Sequence, residues 1–239
     1  MPEYTLYYWP IPFRGHLVRY VLAYVGATWQ EPPIEDLVDL KVAPLSEQPV
    51  PFMAPPILHD HGADLWVAQA PAVLAYLGQK YALIPQDPQK AALTLKLLGD
   101  SIDVLEGITR ACGAQMWDKP SWADFAAHRL PRWMAIYEET ARRYQAKGTD
   151  TLLGTEAPGL ADLVSAALWF TMTDKLPQLA PLLKLHAPRV AEQADLIAHS
   201  SQIAAMRAAF ERDDMGTYCS GQIEASLKEV LADWTPDKA

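Results

Sequence analysis

Leu65-Trp66-Val67-Ala68-Gln69-Ala70-Pro71-Ala72-Val73-Leu74-Ala75-Tyr76-Leu77 runs from a short apolar strand straight into a helix. The spacing predicts a strand over 65–67 and a helix over 69–81. Pro71 suits the first helical position, where its missing N–H costs nothing and its fixed φ fits the helix. Ala70, just before it, is expected as the N-cap, a position that alanine fills poorly. Ala72, Val73, Tyr76 and Leu77 supply an apolar stripe at helical period. The free backbone N–H groups and the dipole of such a helix start attract a carboxylate or phosphate. Upstream, Ala54-Pro55-Pro56-Ile57-Leu58 reads as a strand entered through prolines. A proline-led strand, a hairpin and an anion-ready helix start together point to a small-anion site.

Outward from this stretch, Thr5–Trp9 is rich in β-formers and reads as a strand, ended by Pro10 and Pro12. Residues 16–25 carry Leu17, Tyr20, Val21 and Tyr24 at helical spacing, with Gly26 as C-cap. Residues 28–31 form a second short strand. Residues 32–56 hold seven prolines and read as irregular, with one helical turn near residues 34–40. Residues 57–60 and 65–67 form a hairpin. The order is β-α-β-loop-β-β-α. Leu83-Ile84-Pro85-Gln86-Asp87-Pro88 then marks a linker, and everything after it lacks strand alternation.

One helix is expected from Lys90 to about Met116. A second is N-capped by Ser121, runs to about Ala146 and is kinked at Pro131. Residues 159–173 are strongly apolar and read as a buried helix. Residues 188–198 and 202–210 follow as helices. The domains expected are residues 1–82, a linker over 83–89, a helical domain over 90–212, and a tail over 213–239 with no assigned element.

A chain of 239 residues holds one large domain or two small ones, and 50% hydrophobic with 21% charged residues predicts a packed globule. A net charge of −9 speaks against nucleic-acid phosphates as partners. No apolar run reaches the roughly 20 residues that span a bilayer, so no membrane partner is expected. The start Met1-Pro2-Glu3-Tyr4 lacks the charged region and apolar core of a signal peptide. Cys112 and Cys219 are too few for a disulfide scaffold, which makes the reducing cytoplasm the expected setting. His59 and His61 flank Asp60, but a metal site needs more ligands, and no metal is expected.

The chain resembles the soluble glutathione transferases, of the tyrosine type and bacterial-like, over residues 4–212. The motifs that carry the resemblance are Pro56-Ile57-Leu58, the turn Asp60-His61-Gly62, Gln69-Ala70 and Val73-Leu74-Ala75-Tyr76-Leu77. Gly159-Leu160-Ala161-Asp162 adds a second match, at the start of a central buried helix where the family carries an aspartate. The resemblance implies an α/β N-terminal thioredoxin-like domain plus an all-α C-terminal domain. It implies glutathione as co-substrate, with a second, apolar electrophile between the domains.

The chemistry is activation of a thiol. A thiol near the reference pKa of about 8.5 is only a few per cent ionised at neutral pH, and a hydrogen bond donated to sulfur favours the thiolate. The resemblance puts that donor at Tyr8, eleven residues before Arg19, while Tyr7 alternates to the other face as packing. No serine or cysteine lies between Tyr8 and Arg19, so the serine and cysteine classes do not fit. By the same resemblance, Arg14 holds an anionic group or strengthens the field at sulfur. Lys41 holds the glycine carboxylate, Gln69 the γ-glutamyl end, and Asp103 or Asp100 the γ-glutamyl amine across a two-fold homodimer. Arg19 braces the domain interface.

Two positions depart from the family. Ala70 lacks the hydroxyl that binds the γ-glutamyl carboxylate. Pro55, if Pro56 is the cis residue, lacks the N–H that pairs with the cysteinyl backbone; if Pro55 is cis, Ala54 supplies it. At roughly 0.5–1.5 kcal/mol per buried bond, losing both weakens glutathione by about one to two powers of ten. Trp9, Pro12, Phe13, Ile108, Cys112 and Trp117, with Trp169 or Phe170, are the expected walls of the second-substrate pocket. The activity expected is conjugation or glutathione-dependent peroxide reduction. The alternatives are a protein of this fold that binds a ligand or partner without turnover, and a glutathione-dependent isomerase or lyase.

Overall fold

The computed structural model describes residues 1–145, 149–212 and 217–235. Four strands form one mixed sheet in the order β2-β1-β3-β4. β1 (Tyr4–Tyr7) pairs parallel with β2 (Trp29–Gln30), through Tyr4 opposite Trp29. It pairs antiparallel with β3 (Ile57–Asp60), Leu6 opposite Leu58, and β3 pairs antiparallel with β4 (Leu65–Ala68). A parallel β1–β2 pair requires a crossover, and α1 (Arg14–Tyr24) supplies it. The proline-rich stretch holds more order than its composition suggests: α2 spans Ile34–Val42, with Glu35 and Asp36 at its positive end.

The hairpin turn is tied internally. Asp60, 1% exposed, accepts hydrogen bonds from the N–H of Gly62 (3.0 Å) and Ala63 (3.1 Å) and from the Tyr76 hydroxyl (2.6 Å). Lys80 pairs with the same carboxylate, which fixes α3 (Ala70–Lys80) to β3. Of its neighbours, His61 is exposed, with Nε2 2.9 Å from Thr5 Oγ1, and His59 is half-buried and stacks on Trp66. A buried carboxylate with these partners offsets its own desolvation.

α4 spans Pro88–Ile108 and stops eight residues before the expected end near Met116. Its apolar repeat continues, but Arg110, Ala111, Cys112 and Gly113 all take positive φ, so α5 (Arg110–Gly113) is a left-handed turn. Only glycine enters that region without strain, and three of these four are not glycine. The next helix begins earlier than expected: α6 (Lys119–Asp124) is capped by Asp118, whose Oδ1 accepts from Ser121 N at 2.8 Å. A π-helical turn, Phe125–Arg129, then leads into α7 (Leu130–Tyr144). The irregularity expected at Pro131 is this turn, which absorbs the backbone bond that proline cannot donate. The expected end near Ala146 lies outside the described residues.

α8 (Leu160–Lys175) is buried along most of its length and is the axis of the helical half, packing against α1, α4 and α10 (Pro188–Ala198). Its Asp162, 1% exposed, accepts from Leu152 N (2.7 Å), Gly159 N (2.8 Å) and the Gln193 amide. Glycine at the cap position leaves the carboxylate to satisfy the helix start. A 3-10 turn (Pro177–Leu179), α9 (Ala180–His186) and α11 (Ser201–Arg212) complete the bundle.

The residues after 212, which the sequence pattern leaves unassigned, contain α12 (Gly221–Ala232). Residues 213–216 and 236–239 of that tail lie outside the described residues. α12 buries Ile223, Leu227, Val230 and Leu231, and Trp234 meets Trp122 edge-on at 5.8 Å. Each large side chain so buried contributes roughly 1.5–3 kcal/mol.

Candidate functional site

β1 ends at Tyr7, and the chain crosses to α1 through residues 8–13. Tyr7 lies half-buried with its ring 5.5 Å from Trp66, the packing role that alternation assigns it. Tyr8 turns the other way and is 7% exposed. Its ring lies on the bare Cα of Gly15. Burial pushes its hydroxyl up to about 12, against the opposing pull of the Arg14 charge, the Gly15 amide and the Arg19 charge. Tyr8 therefore keeps its proton at neutral pH and stands as an O–H donor.

Arg19 sits beneath, 1% exposed. It donates to Ile11 O (2.8 Å) and Trp9 O (3.1 Å), pairs with Glu31 at 2.6 Å, and lies over the rings of Tyr8 and Phe210. Since Phe210 comes from α11, this arginine does brace the two halves and fixes the 8–13 crossing.

Arg14, at the start of α1, pairs with Glu106 of α4 at 2.7 Å. The Cys112 thiol donates to the same carboxylate oxygen at 3.1 Å. Burial and then this bond push the Cys112 thiol up, so it rests protonated. Glu106 had no motif to announce it; its one signal is its place on α4 one turn beyond Asp103.

Trp9 and Cys112 line one cavity of about 610 Å³ together with Pro10, Ile11, Ile34 and Met116. Its remaining wall comes from Thr217 and residues 219–223, the turn before α12 and the first residues of that helix. Lys41, at the end of α2, places Nζ 5.8 Å from the Trp9 ring centroid. Tyr8 instead lines a neighbouring cavity of about 590 Å³ with Trp29, Glu31 and Phe210. Pro10 and Ile34 line both, so the two cavities adjoin across that ridge.

The other expected walls lie elsewhere. Phe13 is buried with its ring edge-on to Tyr218, and Pro12 faces a separate small cavity. Ile108 is fully buried, and Trp117 belongs to an aromatic cluster with Trp122 and Phe125. Trp169 packs on Tyr137 in the core, and Phe170 lies under Arg207. An apolar residue at helical spacing serves core or pocket equally well, and only tertiary packing separates the two.

The expected glutathione contacts from the α/β half lie at the starts of β3 and α3. The Pro55–Pro56 bond is cis, Pro56 leads directly into β3, and Pro55 carries no N–H. The cap of α3 is Gln69, with φ of +75°, and not Ala70, which is the first helical residue and 3% exposed. A non-glycine at positive φ is held there by its surroundings. Asp103 is exposed on α4 and borders a further cleft with Glu106 and Arg110, while Asp100 is taken by Lys96.

The turn that walls the larger cavity is held by one carboxylate. Glu224 Oε2 accepts from the N–H of Tyr218 (2.9 Å), Cys219 (2.9 Å) and Ser220 (2.5 Å). Burial, then the neighbouring Glu224, push the Cys219 thiol up to about 12. Among the described residues no group of three or more side chains is arranged to hold a metal ion, and no helix is long and apolar enough to cross a membrane.

A family model described as the C-terminal domain of glutathione S-transferase matches residues 93–230, more than half of the chain. This chain belongs to the glutathione S-transferase family. It is 31% identical over 103 residues to hematopoietic prostaglandin D synthase of Gallus gallus, covering 43% of this chain and 48% of that protein. It is 30% identical over 105 residues to glutathione S-transferase P of Bos taurus, covering 44% and 48%. The aligned stretch spans about half the length of these curated relatives. The solved Pi-class glutathione S-transferase of Onchocerca volvulus has the same fold, with a TM-score of 0.71 at 18% identity over 93% of this chain and 99% of that one.

Proposed function

We propose that this chain is a glutathione transferase of the tyrosine type, bacterial-like, in which Tyr8 donates a hydrogen bond to the sulfur of glutathione. The supporting observation is the protonated, buried Tyr8 hydroxyl set against the start of α1 beside Arg14. A donor that keeps its proton near neutral pH stabilises a thiolate without losing its own hydrogen. Lys41, Gln69, the amides at the start of α3 and the Pro55–Pro56 segment would bind the tripeptide. The apolar cavity along Trp9, Ile11, Ile34 and Met116 suits a hydrophobic electrophile or an organic peroxide. The setting is the cytoplasm, and the assembly a two-fold homodimer, in which Asp103 reaches the partner's γ-glutamyl amine.

A second reading is a protein of this fold that binds without turnover. Ala70 and Pro55 favour it, because each removes a polar contact to glutathione. Retention on immobilised glutathione followed by a general conjugation assay separates the two. Retention with turnover supports the transferase. Retention without turnover supports the binding protein, and loss of both removes glutathione as the ligand. Light scattering at micromolar concentration tests the dimer, and a monomer there contradicts it.

A further inference from the structure

His16, in the first turn of α1, is 4% exposed, and its Nδ1 has no hydrogen-bond partner among the described residues. Thr171, on α8, is 5% exposed, and its Oγ1 also has none. Both side chains line the same small cavity, together with Pro12, Asp174, Lys175 and Arg207. The ring of Phe210 closes it, 5.2 Å from the His16 ring. The lining comes from the crossing after β1, from α1, from α8 and from α11. The cavity is therefore a polar joint on the seam between the α/β half and the helical half.

A buried polar atom without a partner retains its full desolvation penalty, and two on one cavity double it. Folded proteins meet that need with an internal water when the space is polar and large enough. This cavity measures about 10 Å³, at the lower limit for one water molecule. We propose that it is a binding site for a single water, held between His16 Nδ1 and Thr171 Oγ1 and bordered by Asp174, Lys175 and Arg207. A water supplies both donors and acceptors, so it can match a hydroxyl and either tautomer of an imidazole. A chloride or bromide ion accepts only and is larger than the space. The two cations on the rim also share a counter-charge: Asp174 lies 3.3 Å from Lys175 and 3.9 Å from Arg207. The water ties α1 to α8 directly under Pro12, and so steadies the crossing that carries Tyr8 and Trp9.

A high-resolution crystal structure of the full chain grown in sodium bromide tests this. The expected result is one water peak within hydrogen-bond distance of His16 Nδ1 and Thr171 Oγ1, with no anomalous signal. A bromide peak there overturns the water in favour of an anion, and a dry cavity overturns the site altogether. A mutant cycle gives an independent readout. His16→Leu and Thr171→Val each lower Tm, and the double variant lowers it by clearly less than their sum, because removing both partners leaves nothing unsatisfied. Additive losses overturn the shared ligand. If a single variant does not fold, the crystal structure of the unaltered chain decides.

Discussion

A Cβ on Gly15 would stand 2.2 Å from Cδ1 and 2.3 Å from Cγ of Tyr8. No real Cβ tolerates that approach, so the tyrosine ring rests where only a hydrogen fits. The Tyr8 ring is held by this contact and by the Arg19 guanidinium, 5.6 Å from its centroid. Gly15→Ala is expected to lose about 1–3 kcal/mol by overpacking. At an ordinary helix position the same change gains up to about 1 kcal/mol. Urea unfolding reads the sign directly. A stabilised variant would mean that the ring has room to yield.

Tyr8→Phe keeps the packing and removes the donor. Conjugation at neutral pH is expected to fall by about one to two powers of ten, within the range of a positioned hydrogen bond. Glutathione affinity changes little, since the lost bond is mainly to the thiolate. The pKa of the bound thiol, followed by ultraviolet absorbance, rises. An unchanged thiol pKa takes Tyr8 out of the site.

The parts of this fold that could be read from sequence are those governed by local rules. Pro71, the hairpin at residues 57–68 and the apolar face of α1 each act within a few residues, and the element order follows from them. Asp162 was singled out by the resemblance, and its acceptor role obeys a local rule as well, since it serves the Gly159 amide at its own helix start. The left-handed turn at Arg110–Gly113 was not, because the apolar repeat runs on through it and Gly113 is its sole signal. The cap at Asp118 was hidden by a second candidate, Ser121, which turns out to be its partner. Tyr8 and Arg14 were singled out by the resemblance; the crossing carries the first and leads into the second, whose guanidinium meets Glu106 and Cys112. The walls were not: Pro12, Phe13, Ile108 and Trp117 share the apolar character of Trp9 but face inward. The wall from residues 217–223 depends on a turn whose organiser, Glu224, reads as an ordinary charged residue.

Acid sensitivity should trace to His16. Burial, reinforced by Arg19, Arg207 and Lys175, holds its pKa well below 6.5 in the folded state. The unfolded chain takes up a proton as pH falls below about 6.5, and the folded chain does not. Stability is therefore full above that pH. It declines by about 1.4 kcal/mol per pH unit on the acid side until the folded pKa is reached. His16→Phe is expected to flatten the stability profile between pH 6.5 and 5, read by urea midpoints at several pH values. A profile as steep as that of the unaltered chain would assign the loss to other groups.

Glu224 holds the cavity's last wall. Burial acts against its charge, but Lys228 and the amides of Ser220 and Tyr218 keep its carboxyl below the usual range. A lowered carboxyl contributes stability above its unfolded pKa, and that stability is lost as pH falls through the folded value. Glu224→Ala strands three amides of the 218–220 turn and should lose on the order of 3 kcal/mol. The raised Cys219 thiol should react slowly with a maleimide in the unaltered chain and fast in this variant, while Cys112 keeps its rate. Unchanged Cys219 reactivity would show that the turn stands without its carboxylate.

Ala70→Ser asks whether glutathione lies where the family would place it. With Gln69 at the cap, a serine at residue 70 is the first helical residue and cannot supply the roughly 1 kcal/mol of a good N-cap. Stability should not rise, because a hydroxyl added at this buried position makes no cap bond to offset its desolvation. Its hydroxyl would still stand beside the free amides at the start of α3, where a γ-glutamyl carboxylate would be held. One added hydrogen bond to a charged group, about 1.5 kcal/mol or more, corresponds to roughly tenfold. Part of that is lost to ordering the hydroxyl, so a severalfold gain in affinity is expected by calorimetry. A gain without a rise in Tm means the ligand docks at α3 with a weakened anchor. No gain means that the carboxylate is not there, and the binding-protein reading takes the stronger position.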